Sequence, residues 1–205
     1  YEISLGLVGS EMCIRDRVRT RLPEVIFICE RRALHARLGL VLEEPAHWIF
    51  IAKPGREGRV AADLEDALFH LDERVSVEYT GYPGVLLAKI RASESEVRRA
   101  LRELKIKDLL KARRLARIAR ISTSRELEPV LTRLLEGLLE ETRPQSLGVE
   151  CYVRGGRAKR KRIREIALAL LKKEGVEVGR ESRRFLVVDV VDDLIGASLV
   201  EKGDA

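Results

Sequence analysis

The chain predicts an α+β protein: an N-terminal α/β sandwich followed by a smaller C-terminal unit of order α-β-α-β-β. Two observations predict it. Short apolar runs of strand length alternate with stretches whose apolar residues recur at helical spacing. Some strands also follow one another directly, joined by turn residues at Gly81-Tyr82-Pro83-Gly84 and Asp192-Asp193. Helices mixed with adjacent strand pairs indicate a layered α+β architecture. No apolar run approaches the length of a membrane span.

The 205 residues hold 39 Lys or Arg against 33 Asp or Glu, a net charge of +6. The sequence pI of about 9.4 points to an acidic partner such as nucleic acid. Cys13 lies in the N-terminal stretch set apart below, and the remaining Cys29 and Cys151 are too separated for a disulfide framework or a metal site. Free buried thiols in a reducing cytoplasm are the expectation. The chain has no Asn and one Gln, Gln145. Depletion of heat-labile amides with abundant charge hints at a thermophile, although GC-rich coding can contribute to the same bias.

Residues 1–17 (YEISLGLVGSEMCIRDR) read differently from the rest. Back-translated, Gly6–Arg17 resembles a transposon-based sequencing adapter, and this stretch is read as an artefact fused to a genuine frame. Its short apolar part is interrupted by acids, unlike a signal peptide. It contains the only Met, Met12, so the genuine frame is expected to be truncated or to begin at an unusual codon.

Beyond it, Glu24–Cys29 (EVIFIC) predicts a strand, and Glu30–Leu42 a helix with Leu34 and Leu38 on one side. His47–Ala52 predicts a second strand, Lys53–Gly58 a loop, and Val60–Leu71 a helix. Val75–Thr80 and Val85–Ile90 predict strands around the Gly-Tyr-Pro-Gly turn. Ser93 caps a helix to about Leu104, with Glu96 at the capping-box position. Lys105–Arg120 follows, with seven cations against Asp108 alone. Its periodicity does not separate helix from strand. It is read as the link between the two units. Its cations Arg113, Arg114, Arg117 and Arg120 either extend a nucleic-acid-facing surface or sit on a solvated linker. Thr123 and Glu126 then form a capping box for a helix with Leu127, Leu131, Leu134, Leu135 and Leu138 as its buried stripe. Thr142-Arg143-Pro144 stops it.

The stretch from Gly148 to Val200 carries the functional signal. A strand over Val149–Val153 runs into Arg154-Gly155-Gly156-Arg157. From Arg154 to Arg164 there are seven Lys or Arg (Arg154, Arg157, Lys159, Arg160, Lys161, Arg162, Arg164) and no acid. Ile163, Ile166, Ala167, Leu170 and Leu171 mark the buried stripe of the helix that follows, which Gly175 ends. The cations thus sit at a helix N-terminus, where the helix dipole disfavours positive charge by about 0.3–1 kcal/mol each. Charges placed there for stability would be acidic. Free first-turn amides and a Gly-rich loop suit a phosphate instead. The alternative is an ordinary solvated helix face. A nucleotide P-loop does not fit, because no Ser or Thr follows the loop to hold magnesium. A spread basic surface suits a polyanion. Two further strands, Phe185–Val191 and Leu194–Val200, turn at Asp192-Asp193.

No catalytic constellation accompanies this surface. His35, His47 and His70 share no metal-ligand spacing and are read as surface or helix-packing residues. Ser122, Thr123 and Ser124 read as caps. Asp189, Asp192 and Asp193 read as turn residues rather than a carboxylate site. No dinucleotide fingerprint is present, and the aromatics are too scattered for a base-stacking platform.

The order from Ile121 to Glu201 (helix, strand, basic Val153-Arg154-Gly155-Gly156 loop, Lys/Arg-led helix, two strands) resembles the THUMP domain of tRNA-modifying proteins. Order and spacing carry the resemblance rather than a unique signature. It implies a THUMP RNA-binding domain over 121–202, and the region 18–120 resembles the ferredoxin-like domain that precedes it. It further implies binding to the tRNA acceptor end, with catalysis supplied by another domain or protein. The arrangement looks like the non-catalytic adaptor that presents tRNA to a cytidine acetyltransferase, giving acetylcytidine. The resemblance then places RNA contacts at Arg154, Gly155, Gly156, Arg157, Lys159, Arg160, Lys161, Arg162 and Arg164. No cofactor, metal, catalytic residue or membrane is expected. Two alternatives stand beside it. One is the N-terminal part of a thiouridine synthetase or tRNA methyltransferase. The other is an interaction module for an acidic protein.

Overall fold

A computed structural model describes residues 45–155, 158–179 and 181–202. The adapter-like stretch, the strand predicted over 24–29, the helix predicted over 30–42, Gly156 and Arg157 lie outside the described residues.

The first half is β1 (Ala46–Ala52), α1 (Glu57–Leu68), β2 (Ser76–Tyr79), β3 (Val85–Ile90), α2 (Glu94–Leu104) and β4 (Leu109–Leu115). The strands form an antiparallel sheet of order β2-β3-β1-β4. Strand periodicity divides β1 between two cores. Trp48, Phe50 and Ala52 pack against Val60, Leu64 and Leu68 of α1 and Val97 of α2. Ile49 faces the other way, toward Val85, Leu115 and Val191.

Helix α1 begins three residues before the expected Val60. The Glu57 carboxylate is held below the usual carboxylate range by backbone N–H groups, its own first, then those of Gly84 and Gly55, and the Gly84 bond ties the helix start to the β2–β3 turn. Gly84 needs its glycine: at φ 74° a Cβ would stand 2.5 Å from the Ala52 carbonyl oxygen. Around α2 both arms of the Ser93/Glu96 capping box form. The outer strand β2 is partly blunted, because Glu65 accepts the Val77 N–H at 2.7 Å.

The second half is β5 (Arg117–Arg120), α3 (Leu127–Thr142), β6 (Ser146–Arg154), α4 (Arg160–Lys173), β7 (Glu177–Val178), β8 (Arg184–Val191) and β9 (Leu194–Glu201). Its sheet runs β5-β9-β8-β6-β7, with β6 parallel to β7 and β8 and the other pairs antiparallel. Both helices cover one face. The expected leucine stripe of α3 and apolar stripe of α4 meet Leu186, Val188, Val190, Ile195 and Cys151 in a single core. Cys151 is a buried free thiol, pushed up to about 11 chiefly by burial.

Three local expectations are corrected. Lys105–Arg120 is not a solvated linker. It holds β4, an edge strand of the first sheet, and β5, an edge strand of the second, separated by Ala116. Thr123 does not cap a helix starting beside it. Helix α3 begins at Leu127, and the Glu126 carboxylate instead accepts the Ser122 N–H and the Thr123 hydroxyl, tightening the turn before it. Asp189 is not a turn residue: it lies inside β8, paired with Tyr152 and Gly196 in register, and is 2% exposed.

The two halves meet through the helix-free faces of their sheets. Leu115 packs with Ile49, Val85 and Val191 and lies over Gly196. A Cβ on Gly196 would stand 2.7 Å from Leu115 Cδ1, so this glycine admits the other half's side chain.

Candidate polyanion-binding site

The basic surface is built where β6 leaves the second sheet and α4 begins. Strand β6 alternates, so Leu147 and Cys151 enter the core under α3 and α4. Glu150, Tyr152 and Arg154 take the opposite parity, toward the first half. Past Gly155 the chain reaches Lys159, which stands in extended backbone at the N-cap of α4 and makes no side-chain cap. The first turn of α4 contains no acid. Its leading amides therefore lack the usual side-chain acceptor.

Burial sorts the α4 cations by helical phase. Ile163, Ile166 and Ala167 turn inward, and Lys159, Arg160, Lys161, Arg162 and Arg164 are exposed. Two of the five are engaged by acids. Arg162 pairs with Glu128 of α3 and lies 3.8 Å from Glu165, and Lys161, 90% exposed, lies 4.0 Å from Glu165. Among the described residues no acid pairs with Lys159, Arg160 or Arg164. Arg160 and Arg164 are one helical turn apart and share a face.

Arg154 and Gly155 have a different setting. Arg154 is 21% exposed, and its Nη1 lies 3.5 Å from Asp189 Oδ1. Its carbonyl accepts the Asp192 N–H at 2.9 Å. Gly155 sits at φ 108°, where a Cβ would stand 2.8 Å from both Asp192 Oδ1 and the Tyr82 hydroxyl. Close packing thus accounts for this glycine. The Tyr82 hydroxyl donates to Asp192 Oδ1, which raises its own pKa and ties the Gly-Tyr-Pro-Gly turn of the first half to the β8–β9 hairpin.

The four cations expected to extend the surface from Lys105–Arg120 do not act together. Arg113 is 3% exposed and points into the junction between the halves, so it faces no solvent partner. Its Nε lies 3.2 Å from Asp189 Oδ2, as a charge contact not aligned as a hydrogen bond, and its Nη2 donates to Oδ1 at 3.3 Å. Burial pushes the Asp189 carboxyl up, opposed by Arg113 and Arg154. The Tyr152 ring lies 5.0 Å from the Arg113 guanidinium and 5.9 Å from that of Arg154. Arg114 lies 3.4 Å from Glu94 of α2. Arg117 pairs with Glu141 of α3 and donates to the Gly137 carbonyl at 3.3 Å. Arg120 is exposed and donates to both oxygens of Asp193.

The sequence reading missed Tyr82, Tyr152, Asp189 and Asp192 as partners of the loop. The available signal was strand parity: Asp189 falls out of phase with Leu186, Val188 and Val190, on the face shared with Tyr152. No group of His, Cys, Asp or Glu among the described residues could hold a metal. No described helix is long and apolar enough to cross a membrane. His47 sits half-buried on β1, not on a helix, and burial followed by Lys89 and Arg120 lowers its pKa to about 4.

No protein-family model matches the chain, and no curated protein matches it. Solved structures do. PH1313 from Pyrococcus horikoshii Ot3 superposes with a TM-score of 0.52 at 12% identity, over 76% of this chain and 55% of that one. TrmN from Thermus thermophilus gives 0.54 at 20% identity, over 75% and 45%. A predicted N6-adenine-specific DNA methylase from Listeria monocytogenes gives 0.50 at 11%, over 77% and 40%. The likeness carries the fold: a THUMP-like α+β arrangement, with two sheets and four helices among the described residues. The matched part of each of these proteins is about half its length or less.

Proposed function

We propose that this chain binds tRNA through the start of α4 and serves tRNA modification. The observation that carries the reading is the uncapped, acid-free first turn of α4 with Lys159, Arg160 and Arg164 exposed around it. Cations are unfavourable at that helix end in an isolated protein and favourable once phosphates dock there. The β-α-β-β-α-β path of the first half, with sheet order β2-β3-β1-β4, supports reading it as a ferredoxin-like sandwich before a THUMP domain. In this reading Arg160, Arg164, Lys159 and Arg157 neutralise backbone phosphates. Selectivity comes from shape and from the single-stranded acceptor end, since A-form major grooves do not admit side chains.

The chain in this proposal is a non-catalytic cytoplasmic adaptor that presents tRNA to a cytidine acetyltransferase. A second reading makes it the RNA-binding part of a longer thiouridine synthetase or tRNA methyltransferase. The favouring observation is that the superposed proteins extend well beyond the matched region. Reading the coding frame past Ala205 separates the two: a stop codon favours the adaptor, and a continued frame with a catalytic domain favours the enzyme.

The binding test is titration of labelled tRNA at several salt concentrations, with and without the unpaired acceptor end. The reading expects end-dependent binding that weakens with salt. Arg160→Ala with Arg164→Ala should flatten the log–log salt slope by about one to two. Unchanged binding by that double variant at moderate salt removes the assignment. Equal binding to any duplex reduces it to a generic basic surface.

A further inference from the structure

Arg154 opens the basic loop, yet its charge is already engaged. It shares the Asp189 carboxylate with Arg113, which arrives from β4 of the other sheet. The two guanidiniums differ in freedom. Arg113 is enclosed and cannot leave. Arg154 is 21% exposed, and its 3.5 Å contact is at the limit of a hydrogen bond. Around them Tyr152 offers its ring face to both, and its hydroxyl donates to Glu150, so Glu150 is also partly engaged.

One carboxylate carries one charge. While Arg113 neutralises it, Asp189 holds Arg154 weakly. Without Arg113, Asp189 would be a buried anion whose nearest remaining cation is Arg154, and an unpaired buried charge is strongly unfavourable. Arg154 would then be drawn inward and lost to the surface. We propose that Arg113, on the first sheet, is a positioning residue that keeps Arg154 of the second sheet available to a polyanion by neutralising the carboxylate they share. This rests on the polyanion-binding reading of the loop.

The test compares full-chain variants in tRNA titrations across salt. Arg113→Met should flatten the salt slope by about 0.7–0.9, the amount of one phosphate contact, as Arg154→Met does. Adding Arg154→Met to Arg113→Met should change nothing further. Arg113→Met with Asp189→Leu, which leaves no buried charge, should restore at least the wild-type slope, and Arg113→Lys should keep it. A merely structural Arg113 predicts a loss that the Asp189→Leu partner does not reverse, and that outcome overturns the proposal. If Arg113→Met does not fold, Arg113→Lys and the neutral pair carry the test, and a flattened slope in either overturns it. A measurement free of RNA separates the two levels of inference. Solvent exchange of the Arg154 side-chain Nε–H should slow in Arg113→Met and quicken in the neutral pair. Exchange unchanged in both overturns the coupling, whereas wild-type protein that fails to bind tRNA overturns the polyanion reading and leaves the exchange result to judge the coupling.

Discussion

Lys105–Arg120 and Arg154–Arg164 each carry seven cations, and the fold uses them in opposite ways. In the first run the cations from Lys111 onward lie on extended strands. Successive side chains point to opposite sides of an edge strand, so Arg113 enters the junction while Arg114 turns to α2. Arg114, Arg117 and Arg120 then find the acids Glu94, Glu141 and Asp193, each from another element. In the second run the cations lead a helix. Its apolar stripe takes the buried side, leaving Arg160 and Arg164 outside without acid partners among the described residues. Charge density is thus a poor guide to an electrostatic surface. Secondary-structure phase decides whether a cation is internal mortar or an exposed contact.

The comparison breaks most sharply at the buried pair. Arg113→Ala should lower stability by about 3–5 kcal/mol, because it leaves Asp189 buried and unpaired. Urea unfolding measures it, and a loss within 0.5 kcal/mol would show that the first run does not hold the halves together. Gly155→Ala should cost about 1–3 kcal/mol, from a strained left-handed φ and the close approach to Tyr82 and Asp192. Thermal unfolding reports it, and Tyr82→Phe in the same background should relieve part of the crowding. By contrast, Arg160→Ala with Arg164→Ala should change stability by no more than about 0.5 kcal/mol while weakening polyanion binding. A large stability loss there would make the second run structural as well.

The mildest expected effect concerns pH. His47 lies near Arg120, the last cation of the first run, and its pKa is lowered from 6.5 to about 4. The folded state therefore disfavours the proton. The sign is that stability is full above the unfolded value of 6.5 and falls as pH drops from there toward 4. His47→Gln should remove this part of the acid sensitivity. Arg120→Gln should move the His47 midpoint, followed by NMR, slightly back toward 6.5, and a midpoint that stays put would leave burial and Lys89 as the causes.

Much of this was legible in the residues. Ser93 with Glu96, the leucines of α3, the apolar stripe of α4 and the Asp192-Asp193 turn are local signals, and each forms as read. The edge strands β5 and β7 were not legible. Four and two residues long, they exist through pairing with β9 and β6 rather than through their own composition. Asp189 misled for a related reason: Asp favours turns locally, and guanidiniums from β4 and the end of β6 make it tolerable inside a strand.

The sequence by itself determined the helices, the principal strands and the order of the second half, because periodicity, caps and turn residues act over a few neighbours. It also determined that cations lead α4, since no acid lies among them. The tertiary structure alone decided which cations find acid partners. Arg113 and Asp189 are 76 residues apart, and Tyr82 and Asp192 are 110 apart. Long-range packing, not local spacing, brings such groups within reach, and burial then turns a surface charge into a junction between two sheets.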